Sequence, residues 1–209
     1  DDITRYRIVP VVVLNDAANA PGLGDALIAG GLPIAEVTFR TAAAADSIRT
    51  LVARGDLLVG AGTVRSVAQV DQAVEAGAQF VVSPGLRGDI VRRAQELGVP
   101  VLPGAVTPTE ILAAEELGIR TVKFFPANVY GGAAALKGLS APFGDINFMP
   151  TGGVSAANLA EFLSLPCVPA VGGSWMVPAK AVDNGEFDRV AALTRQAVEL
   201  VTRITEGEQ

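Results

Sequence analysis

Apolar segments of six or seven residues recur along the chain at fairly even intervals. They are rich in Val and Ile, and their length is typical of buried strands rather than of helices. Stretches with helical periodicity lie between them, as in residues 66–78 and 88–99, and several of these stretches end in glycine, which suits a helix C-terminus. The eight strand-like segments are residues 8–14, 34–39, 57–62, 79–84, 99–104, 121–126, 146–152 and 169–174.

Strands that alternate with helices predict an α/β chain. The segments are apolar on both faces, as parallel strands covered by helices are. Eight such units predict a (β/α)8 TIM barrel that forms a single domain over residues 1–209, with a frayed tail at residues 206–209. An open, doubly wound sheet is the alternative fold. The first strand is not followed by a dinucleotide-binding fingerprint, and this favours the barrel.

Composition narrows the classes of function. The chain has 209 residues, 50% of them hydrophobic, which suits one barrel at the small end of the usual size range. A net charge of -6 argues against a nucleic-acid or anionic-membrane partner. No apolar run approaches the ~18 residues that a membrane span requires.

The cellular compartment is also suggested by the sequence. Charges at the N-terminus lead directly into a strand, unlike a signal peptide, and the absence of an initiator Met indicates processing or trimming. A single cysteine, Cys167, precludes an internal disulfide and fits a reducing compartment. We therefore expect a cytoplasmic protein in which Cys167 is a packing residue.

The sequence contains no histidine, which removes the commonest metal ligand and the commonest general base. Acid–base chemistry then falls to carboxylates, Lys, Tyr or water. Lysines are also few, because 13 of the 16 basic residues are arginines. Lys137 lies in a predicted helix and Lys180 in a predicted loop, where exposure explains both. Lys123 lies inside an apolar strand, where an unpaired charge would be costly.

Strand parity predicts which side chains share a face with Lys123. In the stretch EVTFRT, Glu36, Thr38 and Arg40 alternate with apolar residues, and in TVKFFPA the residues on the face of Lys123 include Phe125. In a barrel the apolar faces pack against helices and the polar faces point to the lumen. We therefore expect Glu36, Arg40 and Lys123 to meet near the carboxyl ends of the strands. Phe125 is expected beside the lysine, either as a wall of the pocket or as a core residue.

Two interpretations of this cluster remain open. Glu36 and Lys123 could form a structural ion pair, with Arg40 in solvent. Alternatively, desolvation favours the neutral amine of Lys123, which can attack a ketone and form a Schiff base, while Glu36 moves protons. Because buried ion pairs seldom add stability, their retention favours the catalytic interpretation. Arg40 and Thr63, the latter from GAGT, would suit a substrate carboxylate.

Two glycine-rich stretches follow the predicted seventh and eighth strands. In barrels, these two loops commonly hold a phosphate with backbone N–H groups and a helix N-terminus. Each glycine pair alone is an ordinary turn, but the two together at these positions predict a phosphate site. Its candidate residues are Thr151, Gly152, Gly153, Gly172, Gly173 and Ser174.

These residues lie in blocks that resemble the 2-keto-3-deoxy-6-phosphogluconate (KDPG) and 4-hydroxy-2-oxoglutarate (KHG) aldolase family. The resemblance extends over roughly residues 6–205, and EVTFRT together with KFFPA is its most specific part. The similar blocks, in order, are RIVPVVVL, EVTFRT, GAGTV, SPGL, TPTEI, VKFFPA, MPTGGV and AVGGSW.

The resemblance implies a class I aldolase with neither metal nor cofactor, since the lysine imine takes their place. Lys123 would form the Schiff base with the C2 ketone of the substrate, and Glu36 would be the acid/base, acting partly through water. The other implied contacts are Arg40 and Thr63 at the carboxylate, Pro84 beside the pyruvate moiety, Phe125 near the imine, and Gly152, Gly153, Gly173 and Ser174 at the phosphate.

The substrate implied by the resemblance is KDPG, a small phosphorylated 2-keto acid. It would be cleaved reversibly to pyruvate and glyceraldehyde 3-phosphate in the Entner–Doudoroff pathway, by an enzyme that is typically a homotrimer. Cleavage of KHG to pyruvate and glyoxylate, and the same reaction on the galactonate epimer, remain open. Arg87, which follows the SPGL block, is expected to be solvated rather than to bind a distal anion.

Two other classes of protein are alternatives. A sugar-phosphate isomerase or epimerase would share the phosphate loops, but such chemistry usually needs a carboxylate with His or a metal. A non-catalytic barrel, acting as a sugar-phosphate binder or an assembly module, would not need Lys123 and Glu36 to converge.

Overall fold

A computed structural model of the chain describes residues 2–207. Each of the eight predicted segments contains a strand. The strands are shorter than the segments because the hydrogen-bonded ladders stop where Pro and Gly begin the turns. The strands are β1 (Ile8–Val12), β2 (Ile34–Thr38), β3 (Leu58–Gly62), β4 (Phe80–Val82), β5 (Val101–Leu102), β6 (Thr121–Phe124), β7 (Asn147–Pro150) and β8 (Val171–Gly173).

Helices separate the strands, as the alternating pattern predicts. Gly77, Gly98 and Gly118 follow three of them with φ of +92°, +70° and +75°. This left-handed conformation ends a helix and is accessible to glycine without strain. The helices between residues 2 and 207 are α1 (Ala20–Ala29), α2 (Ala44–Ala53), α3 (Val67–Glu75), α4 (Gly88–Glu96), α5 (Pro108–Glu116), α6 (Gly132–Ser140), α7 (Leu159–Leu163), α8 (Ala179–Asp183) and α9 (Phe187–Glu206).

All strand pairs are parallel, which confirms the predicted α/β class. Continuous ladders join six strands in the order β5-β4-β3-β2-β1-β8 and two strands in the order β6-β7. The first and last strands pair directly, with Ile8 opposite Val171. Two isolated parallel bridges lie between the sheets, Gly104 with Lys123 and Thr151 with Gly172. From β1 to β5, neighbours in space are also neighbours in sequence, which differs from the order of a doubly wound sheet.

The core lies between the strands and the helices that cover them. Phe80, Phe124 and Phe148 are fully buried, and the rings of Phe124 and Phe148 meet edge to face at 6.4 Å. The long final helix α9 packs against α1 with little space between them. A Cβ atom on Gly30 of the α1 C-terminus would lie 2.5 Å from Thr194 of α9, so the close approach requires glycine. Among the described residues, no helix is both long and apolar enough to cross a membrane.

Two expectations change in detail. Lys180 lies in helix α8 rather than in a loop, although its side chain is exposed as expected. In the predicted frayed tail, Glu206 is the last residue of α9 and Gly207 follows it with φ of +77°, while residues 208–209 lie outside the described part of the chain.

Candidate active site

Lys123 and Glu36 form a buried ion pair near the carboxyl ends of β6 and β2. The Nζ atom of Lys123 lies 3.1 Å from Oε1 of Glu36. Lys123 is 3% exposed and Glu36 is 0% exposed, so both charges are removed from water. The two side chains are therefore brought together as strand parity predicted, although their positions in the sequence are 87 residues apart.

The carboxylate of Glu36 is only half satisfied. Its second oxygen, Oε2, is buried and has no hydrogen-bond partner within residues 2–207. No donor from the described residues therefore occupies this oxygen, which leaves it open to a proton or to a substrate group. Gly62 leaves the space that the carboxylate fills, because a Cβ atom there would lie 2.2 Å from Oε1. A neighbouring strand thus provides room for Glu36 without pairing its second oxygen.

Phe125 lies beside Lys123 and also lines a cavity. Its ring centroid is 5.2 Å from Nζ of Lys123, within the range of a cation–π contact. The ring is partly exposed and lines a cavity, whereas Val122 and Phe124 on the opposite face of the strand are fully buried. Parity along β6 is therefore as predicted, and Phe125 is a wall of the cavity rather than a core residue.

A cavity of about 480 Å³ opens next to Phe125. The exposed side chain of Arg40 contributes to its wall, and among the described residues no carboxylate pairs with that guanidinium. The cavity also contains most of the predicted phosphate residues. Its lining consists of Val11, Val13, Arg40, Phe125, Thr151, Gly152, Gly153, Val154, Gly173, Ser174, Val177, Pro178 and Ala179.

The loop after β7 depends on glycine at two successive positions. Gly152 and Gly153 have φ of +89° and +78°. A Cβ atom on Gly153 would also lie 2.2 Å from the side chain of Asn128. The loop therefore packs closely on the turn after β6, and two of the residues that line the cavity at this point have no side chain. Backbone N–H groups in a glycine loop of this kind suit an anion.

Five predicted site residues do not line this cavity, namely the buried pair of Lys123 and Glu36, and Thr63, Pro84 and Gly172. Gly172 is buried behind Thr151, since a Cβ atom on it would lie 2.4 Å from the Thr151 hydroxyl. Pro84 packs against Gly104, the residue whose backbone bridges Lys123. Thr63 directly follows Gly62, which contacts Glu36. Of Arg40 and Thr63, which the sequence pairs around one carboxylate, only Arg40 lines this cavity.

Thr63 is conformationally strained. Its φ is +57°, in the left-handed region that β-branched residues seldom adopt. Such strain costs about 1–3 kcal/mol and is concentrated at functional sites. The backbone conformation of Thr63 thus supports a functional role independently of its hydroxyl group, and the sequence alone does not reveal it.

Arg87 is a surface residue, in agreement with the expectation that it is solvated. Its guanidinium pairs with Asp89 and donates a hydrogen bond to the carbonyl of Arg65. The hydrogen bond from Arg87 lowers the pKa of the Asp89 carboxyl below its ordinary value. The positive charge of Arg87 is therefore balanced by the neighbouring Asp89 carboxylate.

Several residues around the cavity were not identified from the sequence. Val11 and Val13 line it on the side of β1, and Pro178 and Ala179 line it at the start of α8. Asn158 lies just behind the glycine loop and hydrogen bonds to it. Apolar and amide side chains of this kind carry no distinctive sequence pattern, and only their hydrogen bonds and positions reveal them.

A second cavity of about 490 Å³ lies at the opposite ends of the strands. It is lined by the first residues of three strands, Leu58, Val101 and Thr121, and contains none of the predicted site residues. Because barrel enzymes carry out chemistry at the carboxyl ends of their strands, the cavity next to Phe125 is the candidate active site.

Comparison with known proteins gives consistent matches over nearly the whole chain. Residues 1–193 match the family model described as "Aldolase: KDPG and KHG aldolase". The chain is 47% identical to a 2-dehydro-3-deoxy-phosphogluconate aldolase of Treponema pallidum, over 95% of both chains. It is 37% identical to the KDPG aldolase of Legionella pneumophila solved with pyruvate as a covalent carbinolamine, with a TM-score of 0.88 over 91% of this chain and 93% of that one. It is 38% identical to the Zymomonas mobilis KDPG aldolase solved with 3-phosphoglycerate, with a TM-score of 0.89 over 95% and 94% of the two chains.

Proposed function

The chain belongs to the KDPG and KHG aldolase family, and from this premise we propose that it is a Schiff-base aldolase that cleaves KDPG to pyruvate and glyceraldehyde 3-phosphate. As a lyase of this family it breaks a carbon–carbon bond. Relatives that are 47% and 37% identical over nearly the full chain are KDPG aldolases, which supports the substrate.

The observation that carries this proposal is the buried contact between Lys123 and Glu36. The amine of Lys123 lies 3.1 Å from one oxygen of the Glu36 carboxylate, which can accept its proton. The second oxygen of that carboxylate has no partner among residues 2–207 and is a further acceptor. Geometry of this kind is what a nucleophilic lysine needs, since the amine must lose a proton before it attacks. The carbinolamine trapped in the Legionella relative supports the same covalent chemistry here.

The proposed reaction proceeds in balanced steps. Lys123 Nζ attacks the C2 ketone, and the carbinolamine loses water to give a protonated imine. Glu36 accepts the proton of the C4 hydroxyl as the C3–C4 bond breaks, which releases glyceraldehyde 3-phosphate and leaves an enamine. Protonation at C3 and hydrolysis of the imine release pyruvate and regenerate the amine. The imine is the electron sink, so the proposed chemistry needs no metal or other cofactor.

The remaining residues are proposed to hold the two anionic ends of the substrate. Arg40 and Thr63 would bind the carboxylate, with Pro84 and Phe125 against the pyruvate moiety. An unpaired guanidinium on the wall of the cavity supports the role of Arg40. The loops after β7 and β8 would bind the phosphate through Thr151, Gly152, Gly153, Gly173 and Ser174, with Gly172 packed behind Thr151.

We also propose that the strands form a closed (β/α)8 barrel in a single domain. The bridges of Gly104 with Lys123 and of Thr151 with Gly172 support closure, because each joins an edge of the six-stranded sheet to the two-stranded one.

Following the resemblance, we propose a cytoplasmic homotrimer in the Entner–Doudoroff pathway. Leu112, Val129 and Tyr130 are 54%, 73% and 51% exposed, and apolar side chains this exposed favour contact with another subunit. Analytical ultracentrifugation is the test. A single species with three times the monomer mass supports the trimer, and a monomer contradicts it.

The central proposal predicts a covalent adduct on one lysine. Borohydride reduction in the presence of pyruvate should attach reduced pyruvate to Lys123, as identified by peptide mass spectrometry. Lys123→Ala should abolish both the adduct and turnover of KDPG while the fold stays intact. Lys137→Ala, at an exposed position in α6, is the matched control and should leave both unchanged.

Retained turnover in Lys123→Ala, or an adduct on another lysine, would refute the assignment. A folded protein that forms no adduct and does not cleave KDPG would leave Lys123 as half of a structural ion pair. The isomerase or sugar-phosphate-binding function would then account better for the cavity.

A further inference from the structure

We propose that Asn158 is a positioning residue for the loop after β7, and that it sets the preference for phosphorylated over non-phosphorylated 2-keto acids. This inference rests on the proposed function, because it concerns how the phosphate end of the substrate is held. Asn158 does not line the cavity and is not proposed to touch the substrate.

The side-chain amide of Asn158 makes two hydrogen bonds to the same loop. Its Nδ2 donates to the carbonyl of Gly153 at 2.8 Å, and its Oδ1 accepts from the N–H of Ser155 at 2.8 Å. Asn158 occupies the N-cap of α7, yet its side chain makes no capping bond to that helix. The amide therefore fastens the loop rather than the helix.

Three successive carbonyls of this loop are held from behind. The N–H groups of Ala127 and Asn128 donate to the carbonyls of Thr151 at 2.8 Å and Gly152 at 3.1 Å. The third carbonyl, that of Gly153, is held by the side chain of Asn158. The donors of the first two hydrogen bonds are backbone N–H groups, which any residue other than proline at those positions would leave in place. The third hydrogen bond depends on the side chain of Asn158 alone.

Holding the carbonyls also directs the N–H groups. In a planar trans peptide unit, the carbonyl and the following N–H point in opposite directions. The N–H groups of Gly152, Gly153 and Val154 therefore point away from the groups that hold the preceding carbonyls. These three residues line the cavity. The N–H of Gly152 is directed at β8 by the bridge of Thr151 with Gly172, whereas the N–H groups of Gly153 and Val154 have no acceptor among the hydrogen bonds of residues 2–207. Two such successive donors on one loop suit the oxygens of a phosphate.

The peptide unit between Gly153 and Val154 is the one most easily misplaced. Gly153 has no Cβ and a φ of +78°, so little in its own backbone prevents rotation. Without the Asn158 amide, this unit keeps no hydrogen bond to hold its carbonyl. The N–H donor of Val154 would then be lost to the phosphate, while the pocket around Lys123 would be unaffected.

The test compares two substrates on the same variant. Asn158→Ala should lower kcat/KM for KDPG on the order of 10-fold or more, mainly through KM, since misplacement of a binding group can cost up to about 10². The value for KHG, which has no phosphate, should stay within about two-fold because the lost interaction is absent there. Borohydride trapping of pyruvate on Lys123 should also be unchanged.

Binding of inorganic phosphate, measured by calorimetry, tests the same loop without catalysis. Wild type should bind phosphate, and Asn158→Ala should bind it about 10-fold more weakly, the loss of roughly one hydrogen bond to a charged group. Asn158→Ser keeps a residue that suits the N-cap but is too short to span both bonds, so it should weaken binding similarly while the helix start is maintained. Asn19→Ala is the matched control, since Asn19 is also an N-cap whose side chain makes no capping bond.

The outcomes separate this inference from the proposed function. An unchanged ratio of kcat/KM for KDPG and KHG in a folded Asn158 variant, or unchanged phosphate affinity, overturns the role of Asn158 even if pyruvate is trapped on Lys123. Failure to trap pyruvate in the wild type overturns the proposed Schiff-base aldolase activity instead. Phosphate calorimetry still decides the role of Asn158. A wild type that does not bind phosphate also overturns the inference.

Discussion

Glu36 has one carboxylate oxygen paired with Lys123 and one buried oxygen without a partner. Glu36→Gln keeps the shape of the side chain but cannot accept a proton. We expect kcat for KDPG to fall by roughly 10²- to 10⁴-fold, the usual contribution of a positioned acid or base. Steady-state kinetics measure this fall, with Glu199→Gln, an exposed carboxylate on α9, as the control.

The fold of this variant must be checked separately, because removal of one member of a buried pair destabilises a protein by about 3–5 kcal/mol. Circular dichroism and the melting temperature provide that check. A folded Glu36→Gln enzyme with nearly normal kcat would make Glu36 a structural partner of Lys123.

Two substitutions at Thr63 separate the effect of its backbone strain from the effect of its hydroxyl group. Thr63→Ala removes the hydroxyl but keeps a Cβ at φ of +57°, whereas Thr63→Gly removes both the hydroxyl and the strain. We expect the glycine variant to be more stable than the alanine variant by about 1 kcal/mol in urea unfolding. Both should show a raised KM, because both lack the hydroxyl proposed to bind the carboxylate. A normal KM in both variants would remove Thr63 from the site.

At this scale the sequence predicted the contact between Lys123 and Glu36, because the two-residue period of a strand fixes which side chains share a face. It did not predict features that depend on hydrogen-bond direction or backbone angle. The two hydrogen bonds of Asn158 and the φ of Thr63 are such features, since neither an asparagine near a turn nor a threonine after a strand is unusual in type.

At the scale of single elements, the start of α5 shows how a helix terminus responds to pH. Thr107 and Glu110 form a capping box, in which each side chain bonds to the other's backbone. Burial raises the pKa of the Glu110 carboxyl, but hydrogen bonds from the Val106 and Thr107 N–H groups and the Thr107 hydroxyl outweigh it. The pKa of Glu110 is therefore below its ordinary value.

A lowered pKa in the folded state means that Glu110 stabilises the fold when ionised. This stabilisation is complete above the unfolded pKa of about 4.3 and is lost as the pH falls through the lower folded value. Glu110→Gln should therefore cost about 1 kcal/mol at pH 7, and the difference from wild type should shrink below pH 4. Urea unfolding across pH measures it, with exposed Glu116→Gln in the same helix as the control. A difference that does not change with pH would contradict the assignment.

The existence and order of the elements could be predicted from the sequence because hydrophobic periodicity changes between strands and helices at each turn. The exact ends of the strands and helices could not be predicted in this way. The segment predicted as a strand at residues 99–104 contains only the two-residue strand β5, because Pro100 and Pro103 limit the ladder on both sides. The sequence predicts a loop at Lys180, where the structure has α8, because a helix of five residues is too short to show a helical period.

At the scale of the whole molecule, the close packing of α1 against α9 joins the two ends of the chain. Gly30→Ala would place a Cβ 2.5 Å from Thr194, and we expect it to destabilise the fold by about 1–3 kcal/mol. Gly138→Ala, in α6 with no atom within 4 Å of the added Cβ, is the control and should stabilise by about 0.5–1 kcal/mol. Equal effects of the two substitutions in thermal or urea unfolding would mean that the α1–α9 contact is loose.

The pairing of β8 with β1 has a consequence for how the protein is made. On the ribosome, Glu36 and Lys123 both emerge long before β8, whose strand and loop complete the sheet beside β1. Until that last strand arrives, the first strand has an unpaired edge and the two charged side chains lack their surroundings. Folding must therefore wait for contacts between distant parts of the chain, which makes it slow and leaves unfinished chains prone to aggregation. Activity should appear in a single late step of synthesis rather than grow with chain length.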